Sequence, residues 1–302
     1  SLTASLLQEI SKLISELDLD LVVVQGDTTT AFIGALSAYY QQIPVAHVEA
    51  GLRTGDKYAP FPEEVNRRLI SSISDLNFTP TRRASEALDR EGVDHIEEVG
   101  NTVIDSILAC RKIVDEREDD YLEQFNFLQK DRRLIGITAH RRENFGEGLE
   151  AICAALKELS LRHSDCDFVF PVHLNPSVQD RVHSALSGLT NMHLLGPLSY
   201  DEWVYLMSRC TLILTDSGGI QEEAPALNIP VVVMREKTER PEGVEAGAAI
   251  LAGTSQVAIT AITSELLENE RKLIAMQNAK NPFGDGSSST RIADSIADFL
   301  GK

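Results

Sequence analysis

Two apolar runs, LVVV at 21–24 and VVVM at 231–234, are unbroken by any polar residue. A strand with one wet face alternates apolar and polar side chains; a β-branched run that does not alternate must be covered on both faces. That is the condition of a strand inside a parallel sheet with helices above and below. Similar short runs are predicted at Pro44–Val48, Leu76–Thr79, Ile96–Val99, Leu134–Thr138, Phe168–Val172, His193–Leu195 and Leu212–Thr215, with the first two bounded as Leu21–Gln25 and Val231–Met234. Between them, segments such as Thr30–Tyr40 and Leu149–Leu161 carry apolar residues at three- and four-residue spacing. Strand and helix in strict alternation predict a doubly wound α/β architecture.

The stretch from Arg111 to Arg133 is charged and carries no strand signal, so a helix and connector joining two domains is expected near residues 102–132. Four strand candidates precede it and about five follow. The first domain opens on a helical segment, Leu2–Leu17, where a strand and a turn would be expected, and position 1 is Ser rather than Met; the reading expects a preceding strand. Residues 281–289, NPFGDGSSS, predict a mobile polar turn before a last amphipathic helix, Thr290–Leu300.

The formal net charge of −18 sets a field that repels nucleic acid and anionic membrane surfaces, and neither is expected as a partner. No apolar run reaches the roughly 18 residues of a membrane-spanning helix. No basic segment followed by an apolar one opens the chain, so a cytoplasmic protein is expected. Cys110, Cys153, Cys166 and Cys210 form no C-x-x-C pair and are read as free thiols, and no metal site is expected.

In open α/β sheets ligands bind beyond the carboxyl ends of the strands. After the strand ending in Thr215 comes Asp216-Ser217-Gly218-Gly219, a turn that opens a helix with bare amides, which suits phosphate. Glu223 follows one turn later, either to accept from a ribose or to complement the helix dipole. Arg240 follows the VVVM strand, and His140, Arg141 and Arg142 follow LIGITA; cations there suit a pyrophosphate without a metal. Trp203, the single tryptophan, is read in a loop-to-helix segment, either stacking on a base or in the core. The first domain supplies carboxylates instead: Asp27, Glu49, Glu63 and Glu64, suited to acid/base work or to stabilising positive charge on a sugar ring. Asp27 is equally placed to cap a helix over TTT. Motifs for a nicotinamide or flavin cofactor, a P-loop and a nucleophile elbow are all missing, and no cofactor is expected.

The ordered set VVVQGDTTT, VAHVEAGLRT, PFPEEVNRRLI, VGNTVIDS, ITAHRRENFG, PVHLNP, LTDSGGIQEEAP and MREKTERPEGVEAG resembles the bacterial non-hydrolysing UDP-N-acetylglucosamine 2-epimerases, from about residue 20 to the C-terminus. The resemblance implies a GT-B fold, two Rossmann-like domains facing across a cleft. Residues 1–101 would form the first domain, 102–132 a connector helix, 133–285 a UDP-binding domain, and 286–302 a helix returning to the first domain. It implies interconversion of UDP-GlcNAc and UDP-ManNAc through loss of UDP to a 2-acetamidoglucal. By the same resemblance Asp27, Glu49, Glu63 and His140 are catalytic. Leu198, Trp203, Ser217, Gly218, Gly219, Glu223 and Arg240 would hold the UDP-sugar, and Arg141 and His173 a second, activating UDP-GlcNAc. A homodimer is implied as well. The family's opening strand and its G-T-R-P-E loop have no counterpart in this sequence.

Other readings stay open on these residues. One is a relative that hydrolyses the glycal or acts on UDP-diacetamido-glucuronate; another is a UDP-sugar binder without turnover; a third is a GT-B glycosyltransferase, less well matched by the three carboxylates.

Overall fold

A computed structural model describes residues 2–129, 131–139 and 147–302, and the chain divides into two compact units, Ser1–Asp105 with Phe283–Lys302, and Ser106–Pro282.

The first unit runs α1 (Leu2–Glu16), β1 (Val22–Gln25), α2 (Thr29–Tyr40), β2 (Val45–Val48), α3 (Glu63–Ser71), β3 (Leu76–Thr79), α4 (Arg82–Arg90), β4 (Ile96–Glu98) and the start of α5 (Thr102–Glu116). Its four strands are parallel in the order β1-β2-β3-β4. Successive residues of a strand face opposite sides; β2 and β3 are covered on both, whereas β1, at the sheet edge and expected from its unbroken run to be covered on both faces, leaves Val23 52% exposed. Val24 and Val45 pack with Ile14 of α1, Ala31, Ala35 and Ala38 of α2, and Ile70 of α3. Ala46, Val48, Leu76 and Phe78 pack on the other side with Val99 and Ile292.

Ile292 belongs to the last helix of the chain, Ser288–Leu300, which also bonds this unit through Ser295 Oγ to Glu97 Oε1 at 2.6 Å. The turn before it differs from the mobile loop expected of its composition. Phe283 is 1% exposed, its carbonyl accepts from the Asn101 amide at 2.6 Å, and Asp105 takes the amides of Ser288 and Ser289. Polar composition there serves tertiary hydrogen bonds rather than solvent.

The second unit contains the rest of α5, then α6 (Glu118–Gln124), β5 (Arg133–Thr138), α7 (Glu147–Arg162), β6 (Cys166–Pro171), α8 (Pro176–Leu186), β7 (Met192–Leu195), α9 (Tyr200–Arg209) and β8 (Cys210–Thr215). It continues through α10 (Gly218–Ala226), β9 (Val231–Val233), α11 (Pro241–Glu245), β10 (Ala249–Leu251), α12 (Gln256–Glu268) and α13 (Glu270–Gln277); the last helix of the chain is thus α14. Residues 106–132, taken from sequence as connector, cluster with this unit.

Six parallel strands lie in the order β10-β9-β8-β5-β6-β7. The unbroken apolar runs divide residue by residue. Ile135, Ile137, Phe168, Phe170, Leu212, Leu214 and Val232 pack under α7, α8 and α12. Leu134, Val169, Ile213, Val231 and Val233 pack under α5, α9 and α10. Strand β10 is an addition to the predicted set; three residues at a sheet edge, AIL, are too short to announce themselves. Among the described residues no helix is long and apolar enough to cross a membrane, and all four cysteines are free.

Candidate functional site

Counted within the second unit, the strand order is 3-2-1-4-5-6, that of a Rossmann sheet, and it reverses between β5 and β8. At that point, beyond the strand ends, lies a cavity of about 570 Å³ lined by Thr138, His173, Leu198, Tyr200, Trp203 and Ser217 among others. Ligand clefts typically enclose roughly 300–1,000 Å³. Thr138 Oγ1 and Thr215 Oγ1 bond at 2.5 Å across β5 and β8, and Thr215 Oγ1 also accepts the Ser217 amide at 2.9 Å. This hydroxyl pair shapes the turn into α10. Among the described residues Ser217's hydroxyl makes no capping bond, so no side chain of the N-cap occupies the first-turn amides of α10, which have no acceptor within the helix.

The predicted residues of this unit fall out unevenly. Leu198, Trp203, Ser217 and His173 share the one cavity, and His173 Nδ1 accepts the Asn175 amide at 3.1 Å. Trp203 sits in the first turn of α9, is 9% exposed, and serves core and cavity wall together. Its indole lies over Gly136 of β5, where a Cβ would come within 3.4 Å of the ring. Glu223 is buried, and Tyr200 Oη donates to its Oε1 at 3.0 Å. Burial pushes the Glu223 carboxyl pKa up; the Tyr200 bond works against this and the Glu222 charge adds to it. Arg240 begins α11 with its guanidinium Nε paired to the buried Glu222 rather than among the cavity-lining residues. His140 and Arg141 lie outside the described residues.

In the first unit, carboxylates stand at the ends of β1 and β2. The Gly26 amide bonds Val48 O at 3.0 Å, joining the two strand ends, and Gly26 has φ +70. A Cβ on Gly26 would lie 3.6 Å from Glu49 Oε2, so the Glu49 carboxylate packs against this turn; Glu49 itself has φ +64. Asp27 does not cap α2. Thr28 does, its side chain accepting from Ala31 N at 3.1 Å, because Asp27 is engaged by α3. Arg67 Nε donates to Asp27 Oδ2 at 3.0 Å and Asn66 Nδ2 to the Asp27 carbonyl at 2.9 Å. Glu63 opens α3 three and four residues before these two, on the same helix face.

Glu64 is a different kind of carboxylate. It is fully buried and accepts from the amides of Thr54 and Gly55 and from Arg67 and Arg68. Burial alone would raise its pKa, but these donors together hold it below the ordinary value. It is a structural anchor for the loop that precedes α3. A further hollow of about 540 Å³, between Glu97–Val99 and Arg291–Phe299, gathers none of the predicted residues.

Several contributors escaped the sequence reading: His47, Asn66, Arg67, Thr138, Thr215 and Tyr200. For Asn66 and Arg67 a signal existed, since both follow Glu63 at helical spacing. For the two threonines there was only their position at the ends of β5 and β8.

A Rossmann-ordered sheet with a cavity at its switch point, and a second parallel unit with ionisable groups at its strand ends, define a nucleotide-binding α/β enzyme. Residues 1–297 match the family profile described as UDP-N-acetylglucosamine 2-epimerase. The chain is similar to the Escherichia coli strain K12 UDP-N-acetylglucosamine 2-epimerase, with 45% identity over 98% of this chain and 80% of the relative. It is similar to the crystal structure of the Neisseria meningitidis UDP-GlcNAc 2-epimerase bound to UDP-GlcNAc, with TM-score 0.92, 41% identity, and 98% and 81% of the two chains covered. It is likewise similar to a Staphylococcus aureus structure containing UDP, with TM-score 0.92, 40% identity, and 99% and 81% covered. This chain belongs to the UDP-N-acetylglucosamine 2-epimerase family.

Proposed function

We propose that the chain interconverts UDP-GlcNAc and UDP-ManNAc, and does so without hydrolysis, by eliminating UDP and adding it back. The C2 hydrogen of the sugar has no adjacent carbonyl, so direct removal as a proton is too difficult. Breaking the C1–O bond first releases UDP and leaves an oxocarbenium-like ring whose C2–H is acidic. Loss of that proton gives 2-acetamidoglucal; a proton returned to the opposite face and UDP re-added at C1 complete the inversion.

The observation that carries this reading is the placing of Asp27 and Glu49 on either side of Gly26, with α3, the helix that Glu63 opens, bonded onto Asp27 through Asn66 and Arg67. Carboxylates so grouped suit stabilisation of ring charge and proton transfer. The UDP leaving group is assigned to the second unit: Ser217, Gly218 and Gly219 for the phosphates, Trp203 and Leu198 for the base, Glu223 for the ribose, with His140 and Arg240 as further contacts. The family resemblance extends the proposal to a homodimer, to a cytoplasmic reaction, and to a second, activating UDP-GlcNAc near His173 and Arg141.

Proton NMR of UDP-GlcNAc incubated with the protein in D₂O tests this. UDP-ManNAc carrying deuterium at C2 is the expected product. Free ManNAc with UDP would make the chain a hydrolysing relative, and an unchanged spectrum with UDP bound would make it a binder. Asp27→Asn, Glu49→Gln and Glu63→Gln should each abolish turnover and keep UDP affinity; wild-type rates in all three would remove the catalytic assignment.

A further inference from the structure

His47 occupies the interior of β2 with 0% exposure, two residues before Glu49. Its Nε2 is 2.8 Å from the Gly26 carbonyl oxygen. A carbonyl only accepts, so Nε2 carries the proton and Nδ1 is the bare nitrogen. Nδ1 is buried and has no hydrogen-bond partner among the described residues.

That orphan atom is informative. A leucine or phenylalanine would fill the same interior place without leaving a buried polar atom unpaired, which folding penalises. An imidazole kept there despite the penalty points to the bond made by its other nitrogen. The recipient of that bond is the turn between the two carboxylates. Gly26 adopts φ +70, receives the His47 N–H on its carbonyl, and lies against the Glu49 carboxylate. The next residue is Asp27, whose own carbonyl and carboxylate are held by Asn66 and Arg67. The turn is therefore tied from β2 at the Gly26 carbonyl and from α3 at the Asp27 carbonyl and carboxylate.

We propose that His47 is a positioning residue for the reaction: by donating Nε2–H to the Gly26 carbonyl it fixes the peptide that sets Asp27 and Glu49 relative to each other. This rests on the reading of Asp27 and Glu49 as catalytic. The donor is a neutral one. Burial lowers the His47 pKa to about 4, with Arg53 and Arg67 opposing protonation and the Gly26 bond and Asp27 favouring it. The bond to Gly26 thus persists unchanged across neutral pH.

The test compares His47→Gln, whose side-chain amide can reach the Gly26 carbonyl with an N–H, with His47→Leu and His47→Phe, which fill the space without a donor. Turnover and KM for UDP-GlcNAc, UDP affinity and Tm are measured for each. The expected result is a kcat at least tenfold lower in the Leu and Phe variants, with UDP affinity retained and KM little changed, and substantial recovery of kcat in the Gln variant. Should Phe prove too large to fold, the Leu–Gln comparison decides alone. Equal kcat in Gln and Leu variants, or a Leu variant at the wild-type rate, overturns the positioning role. If that happens while Asp27→Asn is inactive, only His47 is misassigned; an active Asp27→Asn would instead remove the reading on which it rests.

Discussion

Arg67 binds Asp27 through two nitrogens that converge on one oxygen: Nε lies 3.0 Å and Nη2 2.5 Å from Oδ2. The third nitrogen, Nη1, is 3.3 Å from Glu64 Oε2, so one guanidinium spans a half-buried carboxylate and a fully buried one. A planar fork makes that span possible; an ammonium at the same place is a single point charge.

Arg67→Lys is therefore expected to lower kcat by at least about tenfold, equivalent to ~1.4 kcal/mol of transition-state free energy. UDP affinity should be unchanged, because the nucleotide is assigned to the other unit. Steady-state kinetics alongside UDP titration check this, and a lysine variant at full rate would mean that the orientation of Asp27 is set without the fork.

Stability should carry a signature of His47. The ordinary histidine value is 6.5 and the folded value is about 4. Between them the unfolded chain binds the extra proton and the native one does not, so stability is highest above pH 6.5 and falls as pH drops towards 4. The full excursion is about 3.5 kcal/mol, at ~1.4 kcal/mol for each pKa unit. Urea unfolding at pH 7 and pH 5 should show a steeper loss in wild type than in His47→Gln. Glu64, with its lowered pKa, adds a loss that sets in as pH falls through the ordinary carboxylate value. Parallel pH profiles for the two proteins would contradict the prediction.

Glu223 works in the opposite sense. Its pKa is raised by burial, so the native state holds a proton more tightly than the unfolded one and loses stability as pH rises through the folded value. Glu223→Gln should therefore have a higher Tm than wild type at pH 7. The same substitution removes a charged acceptor for a ribose hydroxyl, a bond worth roughly 1.5–3 kcal/mol, and should weaken UDP binding about ten- to a hundredfold. Calorimetry and thermal melts separate the two effects; a variant with lower Tm and unaltered UDP affinity would show the residue to be structural.

Gly136 is a packing determinant of the cavity wall. A methyl there would lie 3.0 Å from Cys210 Sγ and Ile213 Cγ1 and 3.4 Å from the Trp203 ring. Gly136→Ala should destabilise by about 1–3 kcal/mol through overpacking. It should also displace the indole, and because Trp203 is the only tryptophan, its fluorescence reports the shift directly. An unaltered emission spectrum and unaltered UDP affinity would mean that the strands yield instead.

Much of the architecture could be read in advance because parallel strands covered on both faces leave a local trace. The run at 231–234 is continuous for the reason seen in the packing: its neighbouring residues, such as Val232 and Val233, enter different cores, and both cores are apolar. The run at 21–24 forms the edge strand β1, where Val24 is buried but Val23 is 52% exposed, so the cover expected on both faces is not met there. The Ser217-Gly218-Gly219 turn was legible for an equally local reason, since a helix opening on small residues is written in consecutive positions. The loop at 281–289 was misread because glycine and serine describe what the backbone can do. They do not tell what Asn101 and Asp105 bond to.

Strand and helix periodicity, the two-unit organisation, the Ser217-Gly218-Gly219 turn and the carboxylates at strand ends were thus determined by the sequence alone, each being a property of adjacent or helically spaced residues. The tertiary structure alone decided which groups meet. It set Arg67 on Asp27 across 40 positions, His47 on Gly26 across 21, and Thr138 on Thr215 across 77. It also gave Asp27 to α3, leaving Thr28 to cap α2. A side chain's partner depends on strand order and register, and these are fixed by the burial of whole faces, a sum over distant residues that no local spacing records.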